Sequence, residues 1–258
     1  MRERFTLGTE AELRTAVNRL ADVIAGSRQI VFFGGAGVST ASGIPDFRSA
    51  GGLYSSGPWG GESPEYFLSH DCLTEEPERF YAYYRENMLY PSARPNAAHR
   101  ALAKLEEAGK LQAVITQNID GLHQLAGSRR VIELHGSVLR NYCVNCLRSY
   151  DLDFVQAGPG VPVCPKCGGF VRPDVVMYGE RLPEKALDDA IRAVCDADTF
   201  IVAGTSLRVY PAASLVEYFS GKNLVLINHS ATPYDAYATL LIRGSVEEVL
   251  ARATEDAL

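Results

Sequence analysis

Five short apolar runs recur along the chain, at residues 30–33, 113–116, 131–134, 200–203 and 224–227. Their length and their content of Val, Ile and Phe read as buried strands. Stretches with helical periodicity fall between most of them. Thr9 and Glu12 make a capping box, Leu13, Val17, Leu20 and Ile24 share one face, and Gly26 follows as a stop. Residues 75–90 read as a helix with Phe80, Tyr83, Tyr84 and Met88 in its core, closed by Pro91 and Pro95. Asn96 caps a helix through Leu105, and Gly109 stands behind it. Pro183 opens a helix to about Val194, residues 211–219 form another, and Ser245 and Glu248 cap an amphipathic last one. Strands alternating with helices at this length imply an α/β fold with a doubly wound parallel sheet covered on both faces. Residues 175–178 are expected to extend as a strand ending at Gly179, at an edge able to accept a peptide by strand addition.

Composition changes this picture little. The 258 residues are 47% hydrophobic and 22% charged, enough for one large domain with insertions. The net charge of −6 argues against a nucleic-acid-binding surface. No apolar run approaches the length that spans a membrane, and the start lacks an apolar signal core, so a cytoplasmic protein is expected. Six cysteines in that setting point to metal or reduced thiols. Cys143 and Cys146 form one C-x-x-C, and Cys164 and Cys167 another, with seventeen residues between the pairs. Two such knuckles at this distance predict four-thiolate zinc, whose closed shell leaves no position for water and is therefore structural. Redox pairs are the alternative. Cys72 and Cys195 stand apart and read as ordinary buried thiols.

The ends of the strands carry the chemistry. In open α/β sheets ligands bind outside the carboxyl ends of strands. The first run leads straight into Gly34, Gly35 and Gly37, which suits backbone N–H groups presented to a dinucleotide pyrophosphate. The spacing is unusual. The next glycine is Gly43, and the ribose-binding acid usual about twenty residues later is missing. A tight structural turn would read the same way, but Ser39, Asp46, Phe47 and Arg48 add a hydroxyl, an acid, a ring and a guanidinium just beyond. Residues 50–66, rich in Gly, Ser and Pro, have the character of a lid. The second strand ends in Gln117, Asn118, Ile119 and Asp120, with His123 after them; taken alone, Asn118 and Asp120 also fit helix caps. The third ends in His135-Gly136. Gly204, Thr205 and Ser206 end the fourth and suit a ribose or phosphate, and Asn228 ends the fifth.

GAGVSTASGIPDFRS at 35–49, TQNID at 116–120, His135-Gly136, the four cysteines, GTSL at 204–207 and Asn228 lie in the order of the sirtuin (Sir2) family, which the chain resembles over roughly residues 12–250. RPDVVMYGE and GTSLRVYPAA are most similar to bacterial members. The resemblance implies a Rossmann-like NAD-binding part made of 1–49, 96–140 and 172–258, a lid loop and helical module at 50–95, and a zinc-binding module at 141–171. It implies NAD-dependent deacylation of lysine in acyl-lysine proteins or peptides. In that reaction the acyl oxygen attacks the nicotinamide ribose, nicotinamide leaves, and an alkylimidate forms. His135 is the implied general base toward a ribose hydroxyl. Asn118 is expected to position ribose and water, and Asp120 to bind the nicotinamide amide. Gly35, Ala36 and Gly37 are expected at the pyrophosphate with Ser39, Asp46 and Arg48 nearby, and Phe47 as a shield. Gln117, Ile119, Gly204, Thr205, Ser206 and Asn228 complete the implied NAD site. Peptide is expected between Val176, Met177 and Tyr178 and the 207–210 segment.

Two departures qualify the resemblance. Gly34 stands where many relatives carry threonine, which is expected to loosen the loop slightly. The branch that removes succinyl or malonyl groups has a tyrosine and an arginine three residues apart, and here Tyr81 and Tyr84 take those places. With no arginine there, deacetylation is favoured over acidic acyl groups. A nicotinamide dehydrogenase would normally show the missing ribose-binding acid. A nucleic-acid-binding zinc ribbon would need more than one basic residue between its knuckles. ADP-ribosyl transfer shares the nicotinamide-leaving step and stays open.

Overall fold

Seven parallel strands form the main sheet, and the glycine-terminated strand is an interior one, third from one edge. The computed structural model describes residues 2–49, 51–55, 59 and 61–258. The elements in chain order are β1 (Glu3–Thr6), α1 (Glu10–Gly26), β2 (Ile30–Gly34), α2 (Pro64–Phe67), α3 (His70–Glu75), α4 (Pro77–Asn87), α5 (Ala97–Glu107) and β3 (Leu111–Thr116). They continue as α6 (Leu122–Leu125), β4 (Val131–Glu133), β5 (Gly136–Cys143), β6 (Ser149–Tyr150), α7 (Leu152–Gln156), β7 (Val171–Val175), α8 (Glu184–Asp196), β8 (Thr199–Ala203), β9 (Asn223–Ile227), β10 (Leu240–Arg243) and α9 (Val246–Ala257).

The sheet order is β1-β10-β9-β8-β2-β3-β4. Every residue of β2 and β8 is buried, because helices cover both faces. Successive side chains of a strand point to opposite faces. Ile30 and Phe32 accordingly meet α1, α5 and α9, while Val31 and Phe33 meet α8. From β2 the chain builds outward to β3 and β4 on one side, and later to β8, β9 and β10 on the other. Such a switch point leaves a crevice at the strand ends. β5, β6 and β7 form a separate antiparallel sheet in the order β6-β5-β7, so β7 is an edge strand. A second apolar cluster joins this sheet to α2, α3 and α4 through Phe67, Phe80, Tyr81, Tyr84, Val175 and Met177. Thr9 and Glu12 cap α1 reciprocally, as their spacing requires.

Four expectations need correction. Extended pairing stops at Val175, and residues 176–178 do not continue the strand. The Glu180 carboxylate accepts from the Met177 N–H at 3.0 Å and is itself held by Arg172 at 2.7 Å, which draws the chain into a bend. The 211–219 helix is a 3-10 helix over Ala212–Tyr218. Cys72 is buried, but Cys195 is exposed on α8. β1 and β5 carry too little apolar signal to stand out in the pattern, and β10 adds a short apolar run, Leu240, Leu241 and Ile242, to the five expected. The space beside Gly34 is filled rather than loose, since a Cβ there would lie 2.7 Å from the Phe32 ring and 3.1 Å from Val38. No helix among the described residues is long and apolar enough to cross a membrane.

Candidate active site

The ends of β2 and β8 touch. The Gly35 N–H donates to the Ala203 carbonyl at 3.2 Å and the Gly37 N–H to the Gly204 carbonyl at 2.9 Å. Gly204 has φ +61°, and a Cβ on it would lie 2.5 Å from the Val38 nitrogen. Only glycine lets the two loops approach this closely. Beyond them lies a cavity of about 560 Å³, within the usual range for ligand sites. Gly35, Ala36, Gly37, Ser39, Asp46, Phe47 and Arg48 line it, as do Gln117, Asn118, Ile119, Asp120 and His135. Gly204, Thr205 and Ser206 line it too, and so do Val176, Met177 and Tyr178.

A polar chain crosses the cavity floor. Asn118 Nδ2 donates to the Gly35 carbonyl at 3.1 Å and to Ser39 Oγ at 3.0 Å. Ser39 Oγ donates in turn to Asp120 Oδ2 at 2.7 Å, and Asp120 Oδ1 accepts from the Leu122 N–H at 2.9 Å. Burial raises the Asp120 carboxyl above its ordinary value, with the Leu122 and Ser39 hydrogen bonds opposing it. The cluster is thus a connected network, and Asp120 also anchors the start of α6.

His135 sits where β4 gives way to β5. Its Nδ1 lies 2.9 Å from the Gln117 carbonyl. A carbonyl only accepts, so Nδ1 carries the proton and Nε2 keeps its lone pair. Burial lowers the imidazole below its ordinary value, and the Gln117 contact opposes that shift. Gly136 has φ +78°, and a Cβ there would fall 1.9 Å from the Asp174 carbonyl oxygen. The backbone of β7 can therefore pass directly beside the histidine.

Not every expected residue reaches the cavity. Tyr81 is fully buried, and its hydroxyl donates to the Val171 carbonyl behind the wall, so it is removed from the acyl-binding set. Tyr84 does line the cavity, and burial raises its phenol above the ordinary value. Arg85 points away and donates to the carbonyls of Val155, Pro159 and Gly160. Asn228 stands behind Thr205, accepting its N–H at 2.9 Å, and its own buried Nδ2 has no partner among the described residues. His123 turns inward against His99 and away from the site. Asn96, read from the sequence only as a helix cap, also donates to the Val38 carbonyl at 2.8 Å and to Ser42 Oγ at 3.0 Å, holding the glycine loop. Its position next to Pro95 signals a cap, and nothing local signals the loop contact.

The four cysteines come together on the small sheet with their sulfurs within 4.8 Å of one another. Cys143 Sγ is 3.4 Å from Cys167 Sγ, and Cys146 Sγ is 3.7 Å from Cys164 Sγ. Tetrahedral zinc at about 2.3 Å from each sulfur would set neighbouring sulfurs about 3.8 Å apart, so the thiols fit that ion. Tyr150 donates its hydroxyl to Cys164 Sγ at 3.0 Å, an outer contact suited to a thiolate.

Comparison with known proteins finds relatives over most of the chain. A family model described as Sir2 family matches residues 35–211. An NAD-dependent protein deacetylase of Clostridium perfringens is 55% identical over 240 residues, covering 93% of this chain and 98% of its own. One of Cutibacterium acnes is 56% identical over 232 residues, covering 90% and 95%. Among solved structures, a Sir2–p53 peptide–NAD+ complex aligns with a TM-score of 0.81 at 42% identity, over 93% of this chain and 97% of that one. Sir2Tm bound to a propionylated peptide aligns with a TM-score of 0.80 at 42% identity, over 92% and 96%.

Proposed function

Because the chain belongs to the Sir2 family, we propose that it removes acetyl groups from protein lysine side chains while consuming NAD. The observation that carries the reading is His135, which faces the cavity with a proton fixed on Nδ1 and a lone pair on Nε2. When bound, NAD supplies a ribose carbon that accepts the acyl oxygen and nicotinamide as the leaving group. The loop at Gly35, Ala36 and Gly37 holds the pyrophosphate, helped by Arg48. Gln117, Thr205 and Ser206, with Asn228 behind them, hold the adenosine half. Gln117 Nε2 already donates to Thr205 Oγ1 at 2.9 Å, which ties these two walls together. Asn118 and Asp120 orient the nicotinamide ribose and amide through the network with Ser39. Ile119 and Phe47 keep the reacting centre dry. His135 Nε2 then takes the proton of a ribose hydroxyl.

The peptide reaches Val176, Met177 and Tyr178 from the free edge of β7, so partners are acyl-lysine proteins. Zinc on Cys143, Cys146, Cys164 and Cys167 holds the small sheet and takes no part in the chemistry, since four protein thiolates leave no open position. The neutral Tyr84 and the diverted Arg85 favour acetyl over succinyl or malonyl groups. The cytoplasm, with its NAD and reduced thiols, is the fitting compartment. The test is incubation with NAD alone and then with an acetyl-lysine peptide. Nicotinamide released only with the peptide supports the reading. NADH, or nicotinamide release indifferent to the peptide, contradicts it.

A further inference from the structure

We propose that Tyr54 is a positioning residue that couples the NAD side of the cavity to the peptide side through its hydroxyl contact with Tyr178. The inference rests on the reading that both ligands share this cavity. Tyr54 stands on a 3-10 turn, Leu53–Ser55. Its N–H donates to the Phe47 carbonyl at 2.9 Å, and the Leu53 N–H donates to the Asp46 carbonyl at 2.8 Å, so residues 46–47 and 53–54 are two limbs of one loop. The Tyr54 ring meets the Phe47 ring edge-on at 5.7 Å between centroids. The Arg48 guanidinium lies 5.4 Å from the Tyr54 centroid. Phe47 and Arg48 both line the cavity, so the placement of the Tyr54 ring sets theirs.

The far end of the side chain reaches the other wall. Tyr54 Oη is 3.0 Å from Tyr178 Oη. The backbone of Tyr178 is already committed, its N–H to the Leu68 carbonyl and its carbonyl to the His70 N–H, both at 2.9 Å. Its side chain lines the cavity and stays partly exposed. Either hydroxyl can donate in the contact between Tyr54 and Tyr178, so it ties the two side chains whichever carries the shared proton. A peptide that fixes Tyr178 thereby favours the loop position in which Phe47 and Arg48 face NAD. Linkage makes the effect reciprocal.

One hydrogen bond of this kind corresponds to roughly three- to tenfold in a binding constant. The test uses ADP-ribose, which presents the pyrophosphate and adenosine without reacting. Its affinity is measured by calorimetry with and without acetyl-lysine peptide, in the wild type, Tyr54→Phe, Tyr178→Phe and the double variant. Peptide should tighten ADP-ribose binding by about three- to tenfold in the wild type, and ADP-ribose should tighten peptide by the same factor. Each single variant should bring that factor close to unity, and the double variant should lose no more than either single. Thermal midpoints are recorded alongside, because a merely structural tyrosine would lower the midpoint and leave the factor intact. Coupling that persists in Tyr54→Phe, or losses that add in the double variant, would overturn the proposal alone. A wild type that binds neither ligand would overturn the reading of the site and this coupling with it.

Discussion

The buried histidine pair makes stability sensitive to mild acid. His99 and His123 are 0% and 1% exposed, and their rings pack with centroids 4.7 Å apart. His99 Nδ1 accepts the Asn96 N–H at 3.3 Å, while neither ring nitrogen of His123 has a partner among the described residues. Burial, with Arg100 adding to it, pushes His99 down to about 4. Burial, with His99 adding to it, pushes His123 down to about 3. An unfolded chain would hold both near the ordinary value of about 6.5. The folded state therefore binds fewer protons. The stability contributed by the neutral pair is complete above about pH 6.5 and is lost as pH falls from there toward the folded values. At pH 5 each unfolded imidazole has gained about 1.5 units of protonation free energy that the folded state lacks, about 2 kcal/mol apiece and about 4 kcal/mol together. That is a large share of a typical stability of about 5–15 kcal/mol. Urea unfolding at pH 7.5 and 5.0 measures it. His123→Phe removes one of the two titrations and sacrifices no hydrogen bond, and its ring suits the neighbourhood of Phe32 and His99. The variant should lose about half as much of this stability between the two pH values as the wild type does, a difference of about 2 kcal/mol. Equal losses in the two proteins would refute the argument, because other titrating groups, His135 included, are common to both.

Further outcomes concern the site itself. Replacing His135 with alanine should leave the thermal midpoint and ADP-ribose affinity nearly unchanged while steady-state deacetylation drops roughly 10²–10⁴-fold; a loss of only a few fold would remove the base assignment. Since burial lowers the His135 imidazole, the acid limb of kcat/KM should have its midpoint below about 6.5, with activity lost as pH falls through it. Chelation, or Cys143→Ser, should melt the small antiparallel sheet and abolish activity indirectly, seen as a lowered thermal midpoint. Acetyl-lysine should be used at least about tenfold better than succinyl-lysine in kcat/KM, equivalent to about 1.4 kcal/mol. Tyr84→Arg should narrow that gap, and an unchanged ratio would show that residue 84 does not face the acyl group.

Much of the main sheet was legible because β2, β3, β8 and β9 are buried on both faces and so appear as continuous apolar runs. The edge strand β1 alternates half-buried and exposed positions over four residues, too short for its pattern to register. β5 departs from a clean alternation because its register shifts between Ser137 and Asn141. The strand expected over 175–178 ends early for a local reason that hydrophobic patterning does not carry, since the carboxylate of Glu180, three residues on, bends the chain by taking the Met177 N–H. The strand-end residues were legible as chemistry, and the structure brings Asn118, Asp120, Ser39 and His135 to one cavity. What sequence spacing lacked was depth. Tyr81 and Tyr84 lie on neighbouring turns of α4, yet the Tyr81 hydroxyl is taken by Val171 of β7 and Tyr84 reaches the cavity. The contacts from Asn96 to Val38 and from Tyr54 to Tyr178 join segments 58 and 124 residues apart, and no local pattern encodes them.

The central claim is that His135 acts on the ribose after nicotinamide has left. Its most direct test follows one acetyl-lysine peptide in two assays, exchange of labelled nicotinamide into NAD and formation of deacetylated peptide. The wild type should perform both, with one nicotinamide released for each lysine freed. His135→Ala should retain measurable exchange and yield almost no deacetylated peptide. Equal loss of both reactions in a folded, ADP-ribose-binding variant would place His135 at the nicotinamide-leaving step and contradict the account.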